Sequence, residues 1–284
     1  MEANPGTLDR DKLALMFNQG VNRISLGAQS FNHDLLQYLG RIHTPQDITK
    51  SIIMIRQSGF SNLNLDLMFA IPGQTAAIWK EDLARAVEFK PEHLSLYGLT
   101  LEKGTPFYTA HEKREMVLPD EQEYARCFES ARHFLRDNDI RDYEISNFSR
   151  SECECRHNLN YWHYKDYLGL GPAAHSFIKK QRWWNVSDVR AYIDKCYHFL
   201  EPVERWETLT EEQQRSEFIF LALRTIGGVT YYSYWERFKR GFKEDYKRTL
   251  DSLEELGLIY KMVDRFMLTD KGLLVSDSVF AEFM

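Results

Sequence analysis

Three strand-like segments recur at about 35-residue spacing, each followed by a helix-like one, and this rhythm limits most strongly what the chain can become. The first, Asn22 to Gln29, alternates Ile24, Leu26 and Ala28 with Ser25, Gly27 and Gln29, which is the period of a strand. Leu63 to Phe69 forms the second and His93 to Thr100 the third. Between them, Thr44-Pro45-Gln46-Asp47 opens a helix with Ile48, Ile52 and Ile55 as its buried stripe and Gly59 as its stop. The turn Ile71-Pro72-Gly73-Gln74 leads into another helix, carrying Trp79, Leu83, Ala86 and Val87. Ahead of these, Thr7 is placed to cap a helix with Leu13, Met16 and Phe17, closed by Gly20. Consecutive units of this kind need right-handed crossovers, so the strands lie parallel with helices outside, as in part of an α/β barrel. The carboxyl ends of such strands face the ligand. Glu2, Gln29, Asp66 and Thr100 stand at or near those ends, each on a different strand. Gln29 either binds a ligand there or caps the loop that follows.

At 284 residues the chain exceeds the ~250 at which a single core usually splits, so more than one domain is expected. Glu2-Ala3-Asn4-Pro5-Gly6 reads as the tail of a strand entering a turn, so the chain opens in mid-element and an upstream portion is expected. Beyond Gly104 and Pro106, a helix begins at Asp120 with Glu123 as capping-box partner and an apolar stripe of Tyr124, Cys127, Phe128, Ala131, Phe134 and Leu135. Tyr143 to Phe148 alternates like a strand, and His157 to Tyr164 forms an aromatic, imidazole-bearing loop. The glycines and proline of Tyr167 to Ser176 let the backbone approach a ligand or another segment closely, although a lone Gly-x-Gly says little for phosphate. A capping box at Thr210 and Gln213 starts a helix to Leu223, and helices around Tyr231 to Phe238 and Tyr246 to Gly257 follow. A hairpin spanning Leu258 to Val263 and Phe266 to Leu268 completes a winged-helix-like module. The expected division is a barrel portion over 1–110, an extension over 111–205 and the winged module over 206–284.

A net charge of -6 argues against a broad nucleic-acid footprint, which relies on clustered Lys and Arg. The helix that would read DNA in a winged module carries Lys243, Lys247 and Arg248 but also Glu244, Asp245, Asp251, Glu254 and Glu255, an acidic balance that repels phosphate. No stretch approaches the roughly 20 apolar residues of a membrane span, and no apolar secretory leader is visible. Four cysteines, at 127, 153, 155 and 196, suit a reducing, cytosolic setting better than a disulfide scaffold. Cys127 belongs to a helix core, which leaves Cys153 and Cys155 as the pair that invites chemistry.

Five runs together carry a family resemblance. Glu-Ala-Asn-Pro-Gly at 2–6, Leu-Gly-Ala-Gln-Ser-Phe at 26–31, Gly40-Arg41, Asn64-Leu65-Asp66-Leu67 with Ile71-Pro72-Gly73-Gln74, and His-Asn-Leu-Asn-Tyr-Trp at 157–162 resemble the radical S-adenosylmethionine (SAM) proteins related to oxygen-independent coproporphyrinogen III oxidase. The His-Asn-x-x-Tyr-Trp run is similar to the HemW branch, the heme chaperones. The resemblance spans essentially the whole chain and implies the C-terminal part of a partial, TIM-like (β/α) radical SAM barrel followed by a helical, winged-helix-like domain.

For SAM, the resemblance implies that Glu2, Gln29 and Asp66 meet its ribose and amino groups and that Thr100 lies near the adenine. It further implies that the Arg41 guanidinium pairs with the methionine carboxylate; the alternative is a rim ion pair between Asp66 and Arg41. For heme it implies binding by His157, Asn158, Tyr161 and Trp162, with the His157 imidazole on iron and the aromatics on the porphyrin face. Cys155 is then a second ligand or a neighbour, and His175 is an outside candidate that reads first as structural. The family's [4Fe-4S] cluster needs Cys-x-x-x-Cys-x-x-Cys, which this chain lacks, so the cluster is expected only in a full-length parent. The function implied is a cytosolic chaperone that passes heme to an acceptor protein. The alternative is a coproporphyrinogen III dehydrogenase of porphyrin biosynthesis.

Overall fold

The computed structural model describes all residues, 1–284, which form two compact units, Met1–Glu154 and Cys155–Met284. The first unit runs β1 (Glu2–Ala3), α1 (Arg10–Asn18), β2 (Ile24–Gln29), α2 (His33–Tyr38), α3 (Pro45–Gln57), β3 (Leu63–Phe69), α4 (Ala76–Glu88), β4 (His93–Gly98), α5 (Pro106–Glu112), α6 (Glu121–Arg136), β5 (Arg141–Asp142) and β6 (Asn147–Ser149). Its six strands form one sheet in the order β1-β2-β3-β4-β6-β5, parallel through β4 and antiparallel beyond it.

Alternation divides the sheet into two chemically different faces. Ile24, Leu26, Leu63, Leu65, Leu67, Leu94 and Leu96 are buried on one of them, and Phe69 continues that row. Phe69 meets Trp79 of α4 at 5.8 Å and Phe128 of α6 at 6.2 Å between ring centroids, which fixes this as the helix-facing side. Each such side chain contributes about 1.5–3 kcal/mol by leaving water. The opposite face carries Ser25, Asn64, Asp66, His93 and Ser95 in adjacent register positions.

Local signals set the helix ends. Thr44 and Asp47 form the reciprocal capping box of α3, with Pro45 at its first turn, Ile48, Ile52 and Ile55 buried, and Gly59 at φ +91° beyond its end. Several expectations need correction. Helix α1 is capped by Asp9, whose carboxylate accepts from the Lys12 N–H, while the Thr7 hydroxyl instead donates to the Asn4 carbonyl. Phe17 leaves the core at 47% exposed, though its ring edge meets Phe60. Asp120 caps α6 without the reciprocal half of a capping box. The expected strand over 143–148 is a tight hairpin, because the Glu144 carboxylate accepts from the Ser146 N–H and the Asn147 amide and so holds a turn between β5 and β6.

The second unit runs α7 (Arg156–Trp162), β7 (His175–Ile178), β8 (Gln181–Asn185), α8 (Val189–Tyr197), β9 (Val203–Thr208), α9 (Glu211–Leu223), β10 (Val229–Thr230), α10 (Tyr231–Phe238), α11 (Phe242–Glu255), β11 (Ile259–Lys261), β12 (Arg265–Leu268), α12 (Asp270–Leu274) and α13 (Ser276–Ala281). The segment expected as an aromatic loop is therefore a helix, α7. The antiparallel sheet β7-β8-β9 had no clear local signal. The winged module forms as expected from α9, α10, α11 and the β11–β12 hairpin, and β10 pairs onto β12 as a third strand. Its core is aromatic: Phe242 lies 4.7 Å from Phe266 and 4.8 Å from Tyr234, and Phe283 closes the cluster. The α/β architecture followed by a helical, winged C-terminal region agrees with the expected fold class. No helix is long and apolar enough to cross a membrane.

Candidate functional site

In the first unit, the polar face of the sheet is organised around Asp66. Its carboxylate accepts from the Ser25 hydroxyl at 2.9 Å and from the Asn64 amide at 2.7 Å. Because the Asn64 Nδ2 donates there, its Oδ1 is left as an acceptor and receives the His93 Nδ1–H at 2.6 Å. The other imidazole nitrogen, Nε2, then accepts from the Tyr143 hydroxyl at 2.9 Å. Burial, with the Arg23 charge adding to it, lowers the His93 pKa to about 3, so the ring is neutral. Burial pushes the Asp66 carboxyl up; hydrogen bonds from Ser95, Ser25 and Asn64 oppose the shift and the Glu2 charge adds to it. Burial also raises the Tyr97 phenol, as do the carboxylates of Asp66, Glu144 and Glu2. Glu2, Asp66, Tyr97 and Glu144 thus share one electrostatic neighbourhood, and no basic group pairs with Asp66.

Gln29 reaches the same face by an irregularity. The β2–β3 register shifts between Gly27 and Gln29, and Gln29 takes φ +67°, a left-handed conformation costly for a residue with a Cβ. The bend turns its amide back over Gly27, where an added Cβ would lie 2.9 Å from Gln29 Nε2 and 3.1 Å from Asn4 Oδ1. Only glycine lets the two amides close over the strand at that point. Arg41 follows α2, half-buried, and its charge helps to hold the neighbouring His43 below the ordinary histidine range, a shift that burial dominates. It makes no ion pair with Asp66, so the rim-pair alternative does not occur in this fold. The third expected strand ends at Gly98, which leaves Thr100 exposed beyond the sheet.

A residue that the sequence reading passed over supports this region from behind. Asp82, on the helix-facing side, accepts from the Ser30 hydroxyl at 2.7 Å and the Phe31 N–H at 2.6 Å, tying α4 to the loop after Gln29. Burial raises its pKa to about 6. A carboxylate on the apolar stripe beside Trp79, Leu83 and Ala86 was the available signal.

In the second unit, His157 and Tyr161 lie one helical turn apart on α7, with Tyr161 Oη 3.1 Å from His157 Nε2. Tyr161 also meets Tyr167 at 4.6 Å. Trp162 is differently engaged: the Arg224 guanidinium covers its ring at 4.6 Å. Asn158 is half-buried on the same helix. Tyr161 forms one wall of a cleft of about 420 Å³, whose lining includes Tyr164, Tyr167, His175, Phe177, Arg182, Trp184 and Glu217. Within it, Arg182 bridges Glu207 at 3.2 Å and Glu217 at 2.5 Å. Phe177, Arg182, Trp184 and Glu217 carried no sequence signal, because they reach the cleft from β7, β8 and α9, elements separate from the His157–Ser176 segment.

The cysteines do not form a cluster-binding set. Cys127 is buried on α6, Cys153 and Cys155 are half-buried, and Cys196 is exposed on α8. No three His, Cys, Asp or Glu side chains meet in a group able to hold a metal ion. The residues present therefore do not fit a [4Fe-4S] cluster, whereas the Asp66 carboxylate, with no basic partner, fits a cationic ligand such as a sulfonium.

Comparison with known proteins agrees with both halves of the chain. Residues 1–86 match the radical SAM superfamily and residues 209–275 the HemN C-terminal domain. The heme chaperone HemW of Bacillus subtilis is 36% identical over 284 residues, covering all of this chain and 75% of that protein. The HemW of Escherichia coli is 32% identical over 293 residues, covering all of this chain and 74% of that protein. Among solved structures, coproporphyrinogen III oxidase (HemN) from Escherichia coli, described as a radical SAM enzyme, superposes with a TM-score of 0.81 at 22% identity. That superposition covers 99% of this chain and 68% of HemN, and it is a likeness of fold. With relatives this similar over its whole length, the chain belongs to the HemW family of the radical SAM superfamily.

Proposed function

We propose that this protein is a heme chaperone that binds heme through its second unit and passes it to an acceptor protein. The observation that carries the reading is the aromatic cleft entered by Tyr161, whose hydroxyl is hydrogen-bonded to the His157 imidazole. A flat apolar macrocycle suits such walls, and an imidazole suits its iron. In this reading His157 is an iron ligand, and Asn158, Tyr161 and Trp162 complete the binding segment. The absence of a disulfide among the four cysteines is in keeping with a reducing, cytosolic setting. Hemin titrated into the protein should produce a Soret band, and His157→Ala should weaken it; equal binding by both proteins would remove His157 from the site.

The first unit is proposed to bind SAM through Glu2, Gln29, Arg41, Asp66 and Thr100. Support comes from the Asp66 carboxylate, which has no basic partner and complements the positive ammonium and sulfonium of SAM. The Arg41 guanidinium, free of any ion pair, offers the complementary charge for the SAM carboxylate. Reductive SAM cleavage depends on a cluster that these residues do not assemble, so no such step is drawn. The dehydrogenase alternative depends on that same cleavage and finds no separate support in the fold. Turnover of coproporphyrinogen III would restore it.

A further inference from the structure

The cleft of the second unit holds an imidazole with no assigned task. His175 opens β7, and its backbone is fixed on two sides. It stands opposite Trp184 in the β7–β8 register, and Gly169 packs so closely that a Cβ there would lie 2.1 Å from the His175 carbonyl oxygen. The side chain itself is exposed, stacks on Trp184 at 5.4 Å and 25°, and hydrogen-bonds to nothing in the protein. The backbone frame is fixed while both ring nitrogens stay open, so either can reach a metal without breaking a bond within the protein. His157 differs, because its Nε2 is shared with the Tyr161 hydroxyl.

The rest of the cleft selects for one kind of molecule. Tyr164 and Phe177 form a buried floor at 3% and 2% exposure, with the Tyr164 hydroxyl beside Glu217. Tyr161, Tyr167 and Trp184 supply ring faces along the walls. Arg182 is neutralised by Glu207 and Glu217, so the ammonium of Lys165, which forms no ion pair, is the lining cation left for an anionic substituent. An aromatic slot with a free imidazole and one uncommitted cation matches a planar metal chelate bearing carboxylates.

We propose that heme sits in this cleft and that His175 supplies an iron ligand in addition to His157. The inference rests on the heme-chaperone reading and deepens it by naming a second imidazole at the cleft.

The test is ferric hemin titrated into the full chain and into His175→Ala, His157→Ala and the surface control His198→Ala, read by absorbance and electron paramagnetic resonance. The parent should give the six-coordinate, low-spin signature of two nitrogen ligands. His175→Ala should give a high-spin species with affinity lower by about tenfold, the scale set by disturbing a metal's ligand environment. Added imidazole should restore its low-spin signal at a concentration that leaves free hemin high-spin, which a misfolded variant could not do. His198→Ala should behave as the parent. If the parent binds hemin but His175→Ala keeps both spin state and affinity, His175 is not a ligand and the chaperone reading stands. If the parent binds no hemin, the chaperone reading fails and the inference with it.

Discussion

His93 Nδ1 donates to Asn64 Oδ1 across β4 and β3 at 2.6 Å, and this bond holds the Asn64 amide toward Asp66 while burial keeps the imidazole neutral. The pair has a pH consequence. His93 titrates near 6.5 in an unfolded chain and at about 3 in the native one. Between those values the unfolded state takes up a proton that the native state refuses. Stability of the first unit should therefore fall as pH drops from about 6.5 toward 3, with no His93 contribution above that window. One proton is worth about 1.4 kcal/mol per pH unit. Denaturation midpoints of the parent and His93→Gln across this range should differ by that slope.

Asp82 should act in the opposite direction. Its native pKa of about 6 exceeds the unfolded value of 3.8, so its contribution is fully present below 3.8 and lost as pH rises through 6. Asp82→Asn should flatten that part of the stability profile. Loosening of the Ser30–Phe31 loop should appear as faster amide exchange there, because Asn offers one acceptor atom where the carboxylate offers two.

Leu65 is buried in the middle of β3, on the face against the helices. Leu65→Ala should cost about 2–5 kcal/mol in a denaturant titration, the range for large-to-small core changes. A loss below 1 kcal/mol would mean that the sheet is packed on its other face.

Gly228 combines φ +63° with a close approach to β12, where an added Cβ would lie 2.1 Å from the Phe266 carbonyl oxygen. Gly228→Ala should separate β10 from β12 and lower the winged module's melting temperature by several degrees, at a cost of at least about 1 kcal/mol. Gly257, at φ +67° with nothing near its Cβ position, should tolerate alanine better.

If Asp66 offers its negative charge to a SAM cation, Asp66→Asn should weaken SAM binding about tenfold or more in calorimetry while the side chain's size is kept. Equal affinity would separate this carboxylate from SAM recognition.

Local spacing determined much of this protein. The alternation of Ile24, Leu26 and Ala28, the Thr44–Asp47 box and the Thr210–Gln213 box each depend on residues a few positions apart, so strands, caps and the wing were legible directly. Gln29, at the end of β2, was found the same way, whereas Asp66, expected near a strand end, lies in the middle of β3, and Glu2 opens β1. Tertiary structure alone decided what they face. The register shift that folds Gln29 over Gly27, the chain from Asp66 through Asn64 to His93 and Tyr143, and the choice of helix for α7 all depend on contacts distant in sequence. So does the cleft, which brings Tyr161, His175, Trp184 and Glu217 together from separate elements. A periodic pattern encodes which face of an element is apolar, but strand register and side-chain pairing arise only when the whole chain packs.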